Sequence, residues 1–283
     1  NWLNANAVEC HVTLTDAPFR ADLPPGNYTV TVERGKEYRP LIERIAVAAH
    51  PVTLDLRIRR WINMAQRGWY SGETHLHRTP AELTNVILAE DLNVAFPLSF
   101  WVTQAFAAPG GGDRNMAGEF PPQPLYADRT HVIWPRNTEY EIFTVWGKSH
   151  TLGALFLLNH RSVFTNGVPP WGAVAAQARD EEALLDMDKL DWPFAFLLPP
   201  GTGAQLYELA NNHMWRTEYA FTNYVTSAPP YLHPPYGSRR GNERDWTLYT
   251  LGMYYTLLNA GFRSVPAAGT ASGVHPVPAG FSR

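Results

Sequence analysis

Cysteine is almost missing from this chain: Cys10 is the single one in 283 residues. That excludes an intrachain disulfide and a Cys-rich zinc site. Any metal would have to be held by His, Asp and Glu. Charge is sparse too. Lys and Arg number 23 against 26 Asp and Glu, a net charge of −3, so there is no basic footprint for nucleic acid or an anionic membrane surface. No apolar run is long enough to span a bilayer. The opening "NWLNANAVEC" lacks the basic start and apolar stretch of a secretory leader. It also lacks an initiator Met, and the chain stops at "GFSR". It therefore reads as a piece of a longer chain, with its last domain cut short. Its ends do not report targeting, although a periplasmic or secreted setting is favoured, and oligomeric state is not readable.

What is present points to a globular protein. The chain is 45% hydrophobic, enough for a sizeable core, and its 24 Pro and 10 Trp suit a loop-rich body with aromatic surfaces. Its length fits one large domain, or a large one and a small one. "NYTVTVE" (27–33) alternates, with Tyr28, Val30 and Val32 on one face. "VTLDLRI" (52–58) does the same with Val52, Leu54, Leu56 and Ile58. Period two predicts half-buried strands of an antiparallel β-sandwich, a support rather than a centre of chemistry.

Beyond Trp61 helices enter the pattern. Thr79-Pro80-Ala81-Glu82 predicts a capped helix start, running to about Leu92. "NVAFPLSFWV" (93–102) reads as a buried strand, and 107–128 as a long Gly- and Pro-rich loop. Helices are expected over Trp171–Leu190, Trp215–Ser227 and Asp245–Ala260, the last capped by Asp245 and stopped by Gly261. The Tyr and Trp residues of 215–224 and 246–255 fall at helical spacing and read as core. Strand-like runs end in "NH" (159–160), "NNH" (211–213) and "SGVH" (272–275). Strands alternating with helices predict an α/β domain with a largely parallel sheet. In α/β barrels chemistry gathers at the strand C-termini, which gives these distant histidines a reason to meet.

"GETHLHR" (72–78) is the strongest local signal. On a strand, Glu73, His75 and His77 would project from one face, three groups able to hold a cation. His131 reads as structural, and His11, His50 and His233 as surface residues. "GTGAQ" (201–205) and "GGGDRN" (110–115) lack the strand–loop–helix setting of a nucleotide loop and read as turns.

"RWINMAQRGWYSGETHLHR", "YELANNHMWRTEY" and "NAGFRSVPAAGTASGVHPVPAGF" resemble, in order, blocks of the CehA/McbA metallohydrolases of the polymerase and histidinol phosphatase (PHP) superfamily. The resemblance covers roughly 60–283. It implies a distorted PHP-type (β/α)7 barrel over 61–283. Residues 1–60 would be part of a small antiparallel β-sandwich of the carboxypeptidase-regulatory or transthyretin-like kind. It implies metal ligands His75, His77, Glu139 (with Glu141 as alternate), His150, His160, His213 and His275. Glu208 falls in the E-x-x-N-N-H block. Two departures stand out. "SFWVT" (99–103) replaces T-D-H-N, and Gly273 replaces the Asp of the closing D-x-H. Asp186, Asp188 or Asp191 would supply a missing carboxylate, and one to three divalent ions (Zn, Mn or Fe) are expected.

The implied activity is metal-dependent hydrolysis of an ester, carbamate or phosphoester in a small-molecule substrate, by metal-bound hydroxide. Glu208, Arg78 and Arg161 are the candidate catalytic groups. The arginines would hold an anionic group or an oxyanion; the plainer reading of each is a surface ion pair. The alternative is a non-catalytic ligand- or surface-binding protein on a decayed PHP scaffold.

Overall fold

A computed structural model describes residue 13 and residues 18–189, 192, 194–211, 243–275 and 277–283. His213 with its neighbour Asn212, Asp191, His11, His233 and the helix expected over 215–227 lie outside the described residues.

The first part of the chain forms two antiparallel pairs. Gly26–Val32 (β1) pairs along its length with Leu41–Val47 (β3), and Tyr38–Arg39 (β2) pairs with Arg59–Arg60 (β4). Tyr28, Val30 and Val32 are half-buried and Thr29 and Thr31 exposed, as their alternation predicts. The strand expected over 52–58 is not one. Val52 and Leu54 are 48% and 39% exposed, and among the described residues this alternating run pairs with no strand. Fully buried apolar residues begin at Leu76. Among the described residues this N-terminal part is thus too thin to bury a core of its own, and it leans on the larger body formed by the rest of the chain.

That body contains Gly72–Leu76 (β5), Val94–Pro97 (β6), Phe100–Gln104 (β7), Leu125–Tyr126 (β8), Val132–Ile133 (β9), Thr138–Val145 (β10), Lys148–Leu158 (β11), Leu184–Asp188 (β12), Leu206–Ala210 (β13) and Val265–Ala268 (β14). Its helices are Pro80–Ala89 (α1), Trp171–Asp180 (α2), Leu198–Thr202 (α3) and Glu243–Asn259 (α4). A six-stranded sheet has the order β14-β13-β12-β11-β10-β7, and a four-stranded sheet the order β5-β6-β9-β8. The fold is mixed α/β. In the larger sheet β11 runs antiparallel to both neighbours while the other pairings are parallel, so the sheet is mixed where a largely parallel one was expected. Neither sheet closes on itself. The two meet where Leu76 bridges Ser272, with Ala271 N donating to His75 O (2.8 Å) and His77 N to Ser272 O (2.9 Å).

Local chemistry explains most boundaries. Thr79 and Glu82 form the reciprocal capping box, with Pro80 in the first turn. The helix stops at Ala89, short of Leu92, and Asp91 turns the chain at φ +52°. The run 93–102 is two strands in different sheets, parted after Pro97, which ends β6. The helix expected to reach Leu190 stops at Asp180. Glu182 takes φ +58°, the turn that glycine usually makes, and the next residues form β12. α4 starts at Glu243, so Asp245 lies inside it rather than capping it, and Gly261 (φ +94°) follows its end as expected.

The six-stranded sheet has two chemically opposite faces. On one, Val102, Tyr140, Ile142, Leu155, Leu157, Leu185, Met187 and Tyr207 form the main core with Val174, Ala175 and Ala178 of α2, Leu198 of α3 and Leu257 of α4. Each large apolar side chain buried there contributes about 1.5–3 kcal/mol. Tyr249, Met253 and Leu257 are buried along α4, but Tyr255 is 45% exposed, so the helical aromatics pack as core only in part. Period two assigns the alternate residues to the opposite face. Register places Glu139 between Trp101 and Phe156, Glu141 beside Ala154, and Ala154 beside Asp188. Asp186 and Met187 pair with Leu206 and Tyr207, which brings Asp188 level with Glu208. This second face is a buried row of carboxylates.

Candidate metal centre

β5 delivers two histidines to that row. His75 is 2% exposed, and His77 follows directly after the strand. His75 Nδ1 lies 3.1 and 3.0 Å from the two Glu208 oxygens. With Nδ1–H donating to that carboxylate, the lone pair sits on Nε2. His75 Nε2 faces His77 Nε2 at 3.2 Å, and His77 Nε2 lies 3.4 Å from Glu139 Oε2. Four donors about 2.0–2.1 Å from a zinc ion stand about 3.3 Å apart, so both separations match an edge of such a tetrahedron. Both Glu139 oxygens are buried without a hydrogen-bond partner. A carboxylate stripped of water and left unpaired is costly unless a cation completes it. His75, His77 and Glu139 thus offer three donor atoms within 4.8 Å of one another, and His75, Asp188 and Glu208 offer a second such group.

The electrostatics agree with the geometry. Burial lowers His75 to about 4, and it also lowers His77 well below the ordinary imidazole value, helped by His75 and Lys189. Both rings are therefore neutral at neutral pH, the form that binds metal. Burial, then Glu141, pushes Glu139 far upward, and burial, then Asp188, does the same to Glu208. A bound cation reverses such shifts. His275 lies in the same field: burial, Lys189 and His75 lower it to about 4, and it acts in turn on His77.

Two further side chains complete the site. Lys189 Nζ donates to Asp188 Oδ2 (2.7 Å) and reaches Glu141 Oε1 at 3.0 Å. Trp101 Nε1 donates to Glu141 Oε2 (3.1 Å), and its ring lies 4.3 Å from that of His77. No family model, curated protein or solved structure matches the chain. The atoms of the centre therefore stand on their own.

The structure sorts the expected residues. His75, His77, Glu139, Glu141, Asp188 and Glu208 come together, with His275 near them. Asp186 is fully buried on the same face of the sheet, beside Glu208's charge, but belongs to neither donor group. Glu208 accepts from His75 Nδ1 and belongs to the second donor group. Glu73 joins neither donor group: it accepts from Thr270 N (2.8 Å), the Thr270 hydroxyl and Gly280 N, and burial raises it to about 8. His160 is not a member. Its Nε2 meets Thr138 Oγ1 (2.9 Å) and its Nδ1 donates to Ser162 O (2.7 Å). Thr138 shares the parity of Tyr140, so His160 sits on the helix-covered side, because β11 runs backwards and its C-terminal end lies at the wrong edge.

His150 stacks on Phe194 at 4.9 Å and joins neither donor group. Arg161 is a surface residue bonded to Glu181 O and paired with Glu182, so the plainer reading holds. Arg78 donates to Ser272 Oγ (3.0 Å), beside the site. His131 is bound by Asp128 and Asp91, a structural role as expected, and His50 is exposed. In the "GGGDRN" loop, Asp113 and Asn115 accept from the backbone of Thr103 and Trp101, sealing the edge of β7.

At the site, two glycines are required by close approach. A Cβ at Gly269 would stand 2.2 Å from His75 Cβ and 2.9 Å from Glu208 Oε1. Gly273, in place of the Asp of D-x-H, has φ +110°, and a Cβ there would meet His77 O at 2.1 Å. This backbone leaves no room for that Asp, and the carboxylates come from β10, β12 and β13 instead. Trp101 and Lys189 escaped sequence reading. For Lys189 the alternation in "LLDMD" was the best available signal, since it marks β12 and so the residue directly after it.

Proposed function

We propose that the protein is a metal-dependent hydrolase of an ester, carbamate or phosphoester bond, using Zn²⁺, Mn²⁺ or Fe²⁺ held by His75, His77 and Glu139. The observation that carries this is the buried, unpartnered Glu139 carboxylate set against two neutral imidazoles at metal-ligand spacing. Two His and one carboxylate with open positions suit these ions. Such an ion supplies a Lewis acid and a water acidic enough to react at neutral pH. Glu208 holds the His75 tautomer, in the manner of carboxylate–histidine–metal triads. Trp101 fixes Glu141 and walls His77 from solvent. His275 borders the site, and Lys189 supplies a fixed positive charge that can face an anionic leaving group.

The proposal includes the family resemblance. The juncture of β5 with the chain after β14 brings the two sheets edge to edge, which supports reading them as parts of one distorted PHP-type barrel of the CehA/McbA kind. The pieces before Trp61 would then be the remnant of its companion β-sandwich. The test is direct. Purified protein should retain a transition metal through dialysis, and His77→Ala should lose it. The loaded protein should turn over at least one of an aryl carbamate, a phenyl ester or a nitrophenyl phosphate. A metal-free protein that neither takes up Zn²⁺ or Mn²⁺ nor shows any turnover refutes the proposal.

A further inference from the structure

The second donor group comprises His75, Asp188 and Glu208. With His75 committed to the first group, its carboxylates, next to Glu141, are what a second ion would use. Yet a lysine stands at their edge, against Asp188. Lys189 Nζ is 2.7 Å from Asp188 Oδ2 and 3.0 Å from Glu141 Oε1, and its side chain is 17% exposed. Nothing else positively charged touches these carboxylates among the described residues. We propose that the Lys189 ammonium is the built-in second cation of this centre, which fills the place of a second metal ion and leaves the site mononuclear. The inference rests on the metal reading of His75, His77 and Glu139.

The balance of charge supports it. Glu139, Glu141, Asp188 and Glu208 bear four negative charges when ionised. One divalent ion and one ammonium offset three of them, and Glu208 is held by His75 Nδ1. A second divalent ion beside the ammonium would outweigh all four, and Lys189 would repel it at contact range. The affinity of Lys189 for its proton is raised despite burial, by Asp188, Glu141 and Glu139 in that order. Asp188 Oδ1 remains buried and unpartnered, an acceptor that a second ion would claim once the ammonium is gone.

The experiment is metal stoichiometry, by equilibrium dialysis against Zn²⁺ alone with elemental analysis, and by calorimetric titration. Native protein should bind one equivalent and Lys189→Met two, while Lys189→Arg, which keeps the charge, should stay at one. Circular dichroism reports whether each variant is folded. If the Met variant does not fold, Lys189→Gln carries the same expectation. Two equivalents in the native protein, or one in the folded neutral variant, overturn the inference and leave the metal reading standing. No zinc in the native protein removes the metal reading itself.

Discussion

His75 divides its two ring nitrogens between different jobs. Nδ1 is anchored by Glu208 and Nε2 faces His77, so the residue is both held and free to bind. Glu208→Gln keeps the shape but lets the amide present a donor to Nδ1, which unsettles the tautomer. Zn²⁺ affinity should fall roughly 10–100-fold, the usual loss when such a partner is removed, with the circular dichroism spectrum unchanged. Competition against a chelator of known affinity measures it. At this scale the sequence was legible where residue type carries the chemistry: H-x-H, the alternating carboxylates of β10 and Glu208 all arrive at the site. It was not legible for Trp101 and Lys189, which are not metal-ligand types and reach the centre only through sheet register. His160 looked equivalent to its fellow histidines because sequence shows that a strand ends in His, not which way the strand runs.

Among the elements, α1 is the one whose start was readable atom by atom. Thr79 N donates to Glu82 Oε2 (2.9 Å), and Glu82 N returns the bond to Thr79 Oγ1 (3.4 Å). Thr79→Ala should cost about 0.5–2 kcal/mol, seen as a lower denaturant midpoint with unchanged slope. Metal binding should survive it, since α1 packs through Leu83 and Ile87 on the smaller core rather than on the carboxylate row. The β12 segment was misread for a reason that a helical wheel cannot reveal. Glu182 makes the reversing turn without a glycine, so nothing in composition marked where α2 stops. A strand carrying Asp186 and Asp188 was thereby hidden inside an expected helix.

At the scale of the whole molecule, Asp91 joins the N-terminal strands to the body. Arg60 Nη2 bonds it at 2.7 Å, Arg34 lies 3.7 Å away, and His131 Nε2 lies 3.6 Å away. Asp91, against the effect of burial and aided by Asp128, holds the His131 imidazole above its ordinary value. A group whose folded value is raised stabilises the fold fully below its unfolded value, about 6.5, and loses that contribution as pH climbs through the folded one. His131→Asn should therefore narrow its stability deficit relative to the native protein as pH rises from about 6 to 9. Denaturant titrations across that range check it, and a deficit that widens with pH contradicts the assignment. An α/β body of strands and flanking helices was foreseeable from alternation and capping; its division into two sheets was not. The openness of the sheets and the mixed strand directions were not, because pairing partners are set by contacts far apart in sequence.

Glu73 has a consequence in time. Its carboxylate is tied to Thr270 and Gly280, partners 197 and 207 positions downstream, and His75 waits for Glu208, 133 positions away. During synthesis the two histidines of β5 leave the ribosome long before anything can orient them. A nascent chain ending before Thr270 cannot assemble the pocket, whatever metal surrounds it. Such distant closures are slow to form, so the pocket's geometry should be completed late in folding.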